Sequence, residues 1–109
     1  MTNKTIKQVT IFIHPELKQI LRHTNTKEWI TTQIKQYQPN LKIPPIPNYT
    51  KTRYKPKLPI ELLDQLQQIP GRTTSQKITN LYFNQLQREY HKEQRIKILK
   101  KLFPNNKYV

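Results

Sequence analysis

Little in this chain supports conventional chemistry. It contains no cysteine, so neither a disulfide framework nor a thiolate metal site can form, which fits a reducing cytoplasm. Its one glycine, Gly71, excludes every glycine-rich phosphate loop. No apolar run approaches the roughly 20 residues that span a bilayer, and the opening Met1–Lys7 stretch has no signal-peptide core. Acidic residues are the scarcest charged class: six Asp and Glu stand against 20 Lys and Arg, a formal charge of +14 in 109 residues. A fold so charged repels itself unless a polyanion matches it. With 34% hydrophobic residues and a mean hydropathy of −0.87, the core of this single small domain is thin.

What is present is said twice. Val9, Ile11 and Ile13 alternate with Gln8, Thr10 and Phe12, the pattern of a strand over 7–13 with one apolar face. His14 stands at an N-cap position and Pro15 suits the first helical residue. Leu17, Ile20 and Leu21 then give an apolar stripe over about 15–23. Asn25 with Glu28 resembles a capping box, and Ile30, Ile34 and Tyr37, with Trp29 beside them, carry a second helix to about Gln38.

Residues 39–50 include four prolines and read as an extended connector, reaching roughly 40 Å. The second unit begins with a strand over 51–58. Tyr54, Pro56 and Leu58 hold its apolar phase and Arg53, Lys55 and Lys57 its outward phase. Pro59 opens a helix striped by Leu62, Leu66 and Ile69, which Pro70-Gly71 ends. Thr73 with Gln76 begins a helix faced by Ile78, Leu81, Tyr82 and Leu86. No breaker follows, so this helix is expected to run through Tyr90 and Ile96 to Leu102, before Pro104. Each unit is too small to cover its own apolar face and must pair with the other.

Lys57-Leu58-Pro59-Ile60-Glu61-Leu62-Leu63, then Gly71-Arg72-Thr73-Thr74-Ser75-Gln76-Lys77-Ile78, resembles the ribbon-helix-helix family of MetJ and Arc. Phe12-Ile13-His14-Pro15-Glu16-Leu17 matches less closely and lacks the glycine. Two motifs in one chain are similar to the TraY conjugation proteins. The resemblance implies a mostly α fold with a two-stranded antiparallel β ribbon, in which tandem motifs form an intramolecular pseudo-dimer. The first motif spans 7–38, the connector 39–50, the second motif with an extended C-terminal helix 51–103, and a tail 104–109. It also implies a small transcriptional regulator or a relaxosome accessory of a plasmid or other mobile element, with a relaxase or other protein as a further partner.

A two-stranded ribbon fits the DNA major groove, where base edges carry a readable code. With the apolar strand face turned to the helices, Gln8, Thr10, Phe12, Arg53, Lys55 and Lys57 face the bases. Gln pairs with adenine, Thr with a base or a thymine methyl, and Arg or Lys with guanine. Phe12 either packs on a thymine methyl or covers the core or a neighbouring molecule. Helix starts favour anions, so Asn25, Thr26, Lys27, Arg72, Thr73, Thr74 and Ser75 are phosphate candidates; N-capping alone also accounts for their residue types.

Arg88, Lys92, Arg95, Lys97, Lys100 and Lys101, interleaved with Glu89 and Glu93, fit a solvated helix as well as a phosphate arm or a docking helix. Ile96, Leu99, Leu102 and Phe103 are apolar enough for self-association on DNA. His14, His23 and His91 are scattered and unsupported by cysteine, which argues against a metal or other cofactor. No Ser–His–carboxylate spacing occurs, so no catalytic residue is assigned and no enzyme is expected. Two alternatives remain. One is an RNA or single-strand binder stacking bases on Tyr49, Tyr54, Phe83 and Tyr90. The other is an antitoxin or adaptor that grips a protein.

Overall fold

Val9 donates its backbone N–H to Pro56 O at 3.0 Å, and around that bond the two extended segments zip together. The structure, a computed structural model, describes residues 5–42, 46–47 and 49–104. β1 (Ile6–Gln8) pairs antiparallel with β4 (Lys57–Pro59), and β2 (Ile11–Ile13) with β3 (Thr52–Tyr54). One register runs through both pairs and sets Val9 against Pro56 and Thr10 against Lys55. Each segment is therefore broken at its middle rather than continuous as its alternation implies. Pro56 has no N–H to give the ladder, so regular pairing lapses there and resumes beyond.

The helices are α1 (Pro15–His23), α2 (Thr26–Gln36), α3 (Ile60–Leu66), α4 (Thr74–Glu89) and α5 (Lys92–Leu102). His14 caps α1 by accepting the Glu16 N–H on Nδ1 at 3.0 Å, with Pro15 in the first turn. Asn25 Oδ1 caps α2 through Glu28 N–H and Thr73 Oγ1 caps α4 through Gln76 N–H, both at 3.1 Å. Each cap satisfies a donor that would otherwise be unpaired at a helix start. α3 begins at Ile60, not Pro59; the Ile60 N–H goes to Thr5 O at 3.1 Å and so extends the ribbon ladder.

Past α3 the chain tightens into i→i−3 bonds through Ile69 and turns at Gly71, where φ is +138°. A Cβ there would lie 3.0 Å from Lys77 N and 3.1 Å from Gln76 Cβ. Position 71 thus needs glycine for both conformation and space. Lys77 Nζ and Asn80 Nδ2 close the turn on Ile69 O and Pro70 O, each at 2.7 Å.

The single long C-terminal helix expected from the pattern is two helices. Tyr90 is extended (φ −125°, ψ 142°), and His91 restarts the chain, its N–H held by Gln94 Oε1 at 3.3 Å. The cause is tertiary. Leu99, Leu102 and Phe103 are buried, and only a reversal at Tyr90–His91 returns them to the core. They cover this chain's own interior, so they do not supply the self-association surface read from their sequence; Ile96 is half-buried.

One core joins all of this. Ile11, Ile13 and Leu58 from the ribbon, Leu17 and Leu21 from α1, Ile30 from α2, Leu66 from α3, and Ile78 and Leu81 from α4 are almost fully buried within it. Trp29 is buried as well. Among the described residues Asn84 is the one fully buried polar side chain. Its amide donates to Gln38 O at 2.8 Å, and its Oδ1 accepts from Gln38 N–H at 3.2 Å and from Arg88 Nε at 2.9 Å. Arg88 also donates to Gln36 Oε1 at 2.8 Å and to Gln33 Oε1. Burial pulls its pKa below the usual guanidinium value. No helix among the described residues is long and apolar enough to cross a membrane.

Candidate nucleic-acid interface

Alternation along the ribbon decides what solvent meets. Ile11, Ile13, Pro56 and Leu58 point inward and are buried. Gln8, Thr10, Phe12, Arg53, Lys55 and Lys57 are all exposed and share the opposite face. The register sets Gln8 against Lys57 at one end and Phe12 against Arg53 at the other, with Thr10 against Lys55 in the middle. Phe12 is 50% exposed, so it does not cover the core. The same alternation reaches one residue beyond those six, Lys51, which is also exposed. Its ammonium sits 5.7 Å from the centre of the Tyr49 ring, a cation–π distance.

Each long helix start is tied to one ribbon strand. In the antiparallel ladder Phe12 N–H points away from β3, and it donates to Ser75 Oγ at 2.9 Å in the first turn of α4. At the other start, the Thr26 and Tyr54 hydroxyls share a hydrogen bond at 2.8 Å, and Thr26 also donates to Leu21 O at 2.9 Å. Of the seven residues picked out for phosphate, Asn25 and Thr73 cap. Thr26 and Ser75 fasten helix to ribbon, a role their hydroxyls concealed in the sequence. Lys27 and Arg72 stay exposed, while Thr74 is half-buried. The Arg72 backbone N–H is held by Gln76 Oε1 at 2.8 Å.

An open groove of about 1000 Å³ runs beside this face, lined by Thr10, Phe12, Tyr49, Lys51, Thr73 and Ser75 among others. Residues 46, 47 and 49 of the connector are among its lining. Residues 43–45 and 48, which share the extended connector expected from its prolines, lie outside the described residues.

Very little acid tempers the charge. Among the described residues the salt bridge is Lys101 to Glu16 at 3.9 Å, with both side chains well exposed, a contact worth little in water. Arg88 and Arg95 leave the basic run expected of the C-terminal segment: Arg88 joins the Asn84 network and Arg95 bonds Gln87 Oε1. Lys92, Lys97, Lys100 and Lys101 remain exposed. His14 is committed structurally, since beyond its cap Nε2 meets Leu102 O at 2.6 Å. Its ring packs edge-on against Phe103 at 5.3 Å and tilted by 42° against Tyr49 at 5.1 Å. His23 pairs with Gln19 at 3.1 Å. No group of three metal-ligating side chains occurs among the described residues.

No family model, curated protein or solved structure matches this chain.

Proposed function

We propose that this chain is a sequence-specific double-stranded DNA-binding protein that lays its β ribbon along the major groove. The observation that carries this reading is the exposed face of the ribbon. Six polar, cationic or aromatic side chains stand there in three opposed pairs, with the aliphatic Ile11, Ile13 and Leu58 confined to the other side. A ribbon presenting donors on one face and a core on the other fits a groove lined with acceptors. Backbone N–H groups at the α2 and α4 starts, with Lys27 and Arg72 nearby, provide phosphate contacts on its flanks.

The tandem motif reading is part of the proposal. One shift along the sequence carries Ile13 onto Leu58, Leu17 onto Leu62 and Leu21 onto Leu66, all of them buried. The same shift carries Thr10 onto Lys55, the opposed pair at the ribbon's middle. An internal two-fold through that pair accounts for both facts and makes the chain a pseudo-dimer of ribbon-helix-helix units. The accompanying role is a small regulator or relaxosome accessory, as the resemblance implies.

Single-strand binding through aromatic stacking has less support. Phe83 is buried, and the Tyr54 hydroxyl is engaged with Thr26.

Binding to a random pool of duplexes, followed by recovery of the bound molecules, tests the reading. An enriched sequence that resists competitor DNA, with log affinity falling by about 0.9 per phosphate contacted for each tenfold rise in salt, supports it. Recovery of an unenriched pool with the same salt slope leaves only a generic polycation and rejects sequence-specific binding.

A further inference from the structure

The two ribbon strands differ in chemistry in a way that divides the DNA strands too. On the β3–β4 side the outward positions are Lys51, Arg53, Lys55 and Lys57, all exposed. Every one donates and none accepts. On the β1–β2 side the outward positions are Gln8, Thr10 and Phe12. Gln and Thr accept as well as donate, and Phe presents only an apolar edge.

Eight residues of strand extend roughly 26 Å, while the major groove is only about 12 Å wide. The ribbon's long axis must therefore follow the groove, and each protein strand lies nearer one DNA strand. Purines offer acceptors in the major groove, N7 on both and O6 on guanine. Cytosine offers its N4 donor, and a pyrimidine C5 edge is apolar. Donor-only Lys and Arg match the first set; Thr10 and Phe12 match the second, and Gln8, whose usual partner is adenine, matches it by accepting from cytosine N4 on its amide oxygen.

From this we infer that the chain recognises an asymmetric duplex with purines, chiefly guanine, gathered on the strand facing β3–β4 and pyrimidines on the strand facing β1–β2. The inference rests on the major-groove reading above and adds the class of target. Two identical strands would give both DNA strands the same chemistry and favour a palindrome. Here the row of cations is confined to one strand, and the described residues show no acid pairing with any of them.

The test uses the full chain and three duplexes of equal length, with binding followed by fluorescence anisotropy at fixed salt. The first carries a guanine-rich run on one strand and cytosines on the other. The second has the same base composition with purines and pyrimidines alternating along each strand. The third is the first with 7-deazaguanine throughout the run, which removes the N7 acceptor and leaves pairing intact. The expected result is at least a tenfold preference for the first over both others, with the gap to the second shrinking severalfold in Lys55→Gln. Circular dichroism of that variant, changed at an exposed position, checks that it is folded. Equal affinity for the first two duplexes overturns the strand assignment while leaving major-groove binding in place. Indifference to 7-deazaguanine assigns the cations to phosphate and overturns it as well. Failure to bind any duplex, even at low salt, removes both the inference and the reading beneath it.

Discussion

Single side chains carry opposite duties on the two faces of the ribbon, and substitutions separate them. Ile11 is fully buried. Ile11→Asp places an unpaired carboxylate in the core, at a cost of more than about 4 kcal/mol. The expected outcome is loss of the thermal transition, whereas a folded but inactive variant would contradict the observed parity. Lys55 lies on the exposed face, so Lys55→Ala should leave the melt unchanged and weaken DNA binding by about 1–3 kcal/mol. If Lys55 reads a base, the loss is confined to one position of the selected sequence. Asn84→Ala tests the buried amide network. It orphans the Gln38 N–H and C=O and should lower stability by about 2 kcal/mol in urea, without touching the ribbon. The alternation that exposes Lys55 was plain in the sequence. The Asn84–Arg88–Gln33 network was not, because side-chain amides on a polar-looking helix face leave no periodic trace.

Among the elements, α5 departs furthest from what the pattern implied. The run from Ile78 to Leu102 holds no glycine or proline, so local propensity favours one helix. The reversal at Tyr90–His91 answers to packing that local sequence does not encode. Leu102 and Phe103 reach His14, Tyr49 and Phe83. Such tertiary override of propensity is the ordinary limit of reading by period. The helix boundaries elsewhere were legible because their signals are local: Asn25 with Glu28, Thr73 with Gln76, Gly71 at its positive φ. If α5 is held by that aromatic contact, Phe103→Ala should cost about 3–5 kcal/mol. Amide exchange should then show α5 opening before the ribbon; equal protection of both would mean that α5 is held by something else.

The core as a whole is closed within one polypeptide, both ribbon strands included. The melting temperature should accordingly stay constant over roughly a hundredfold range of protein concentration, as expected where one chain completes its own core. A rise with concentration would show that a second copy completes the fold. Alkali supplies a further check. Tyr82 is pushed up to about 12, mainly by burial and further by Glu16 and Tyr90. Its raised value means that the folded state holds its proton more tightly than the unfolded chain does. The associated stability is fully present below about pH 10 and is lost as pH rises toward 12, on the order of 2–3 kcal/mol. Burial also raises Tyr37 and Tyr49, so absorbance titration at the tyrosinate band should show several late-ionising rings, of which the one near pH 12 vanishes in Tyr82→Phe together with that alkaline loss.

The bond between His14 and Leu102 spans 88 positions of sequence, and it sets an order of events during synthesis. A nascent chain with only β1 to α2 outside the ribosome has neither a partner strand for Ile11 and Ile13 nor the Leu102 carbonyl and Phe103 ring that His14 meets. Such a fragment exposes apolar surface to the crowded cell for as long as translation takes to deliver Leu58 and then Phe103. A pause of the ribosome between those two points would leave a zipped ribbon over a half-open interior, the stage at which proteases and chaperones would have their best access.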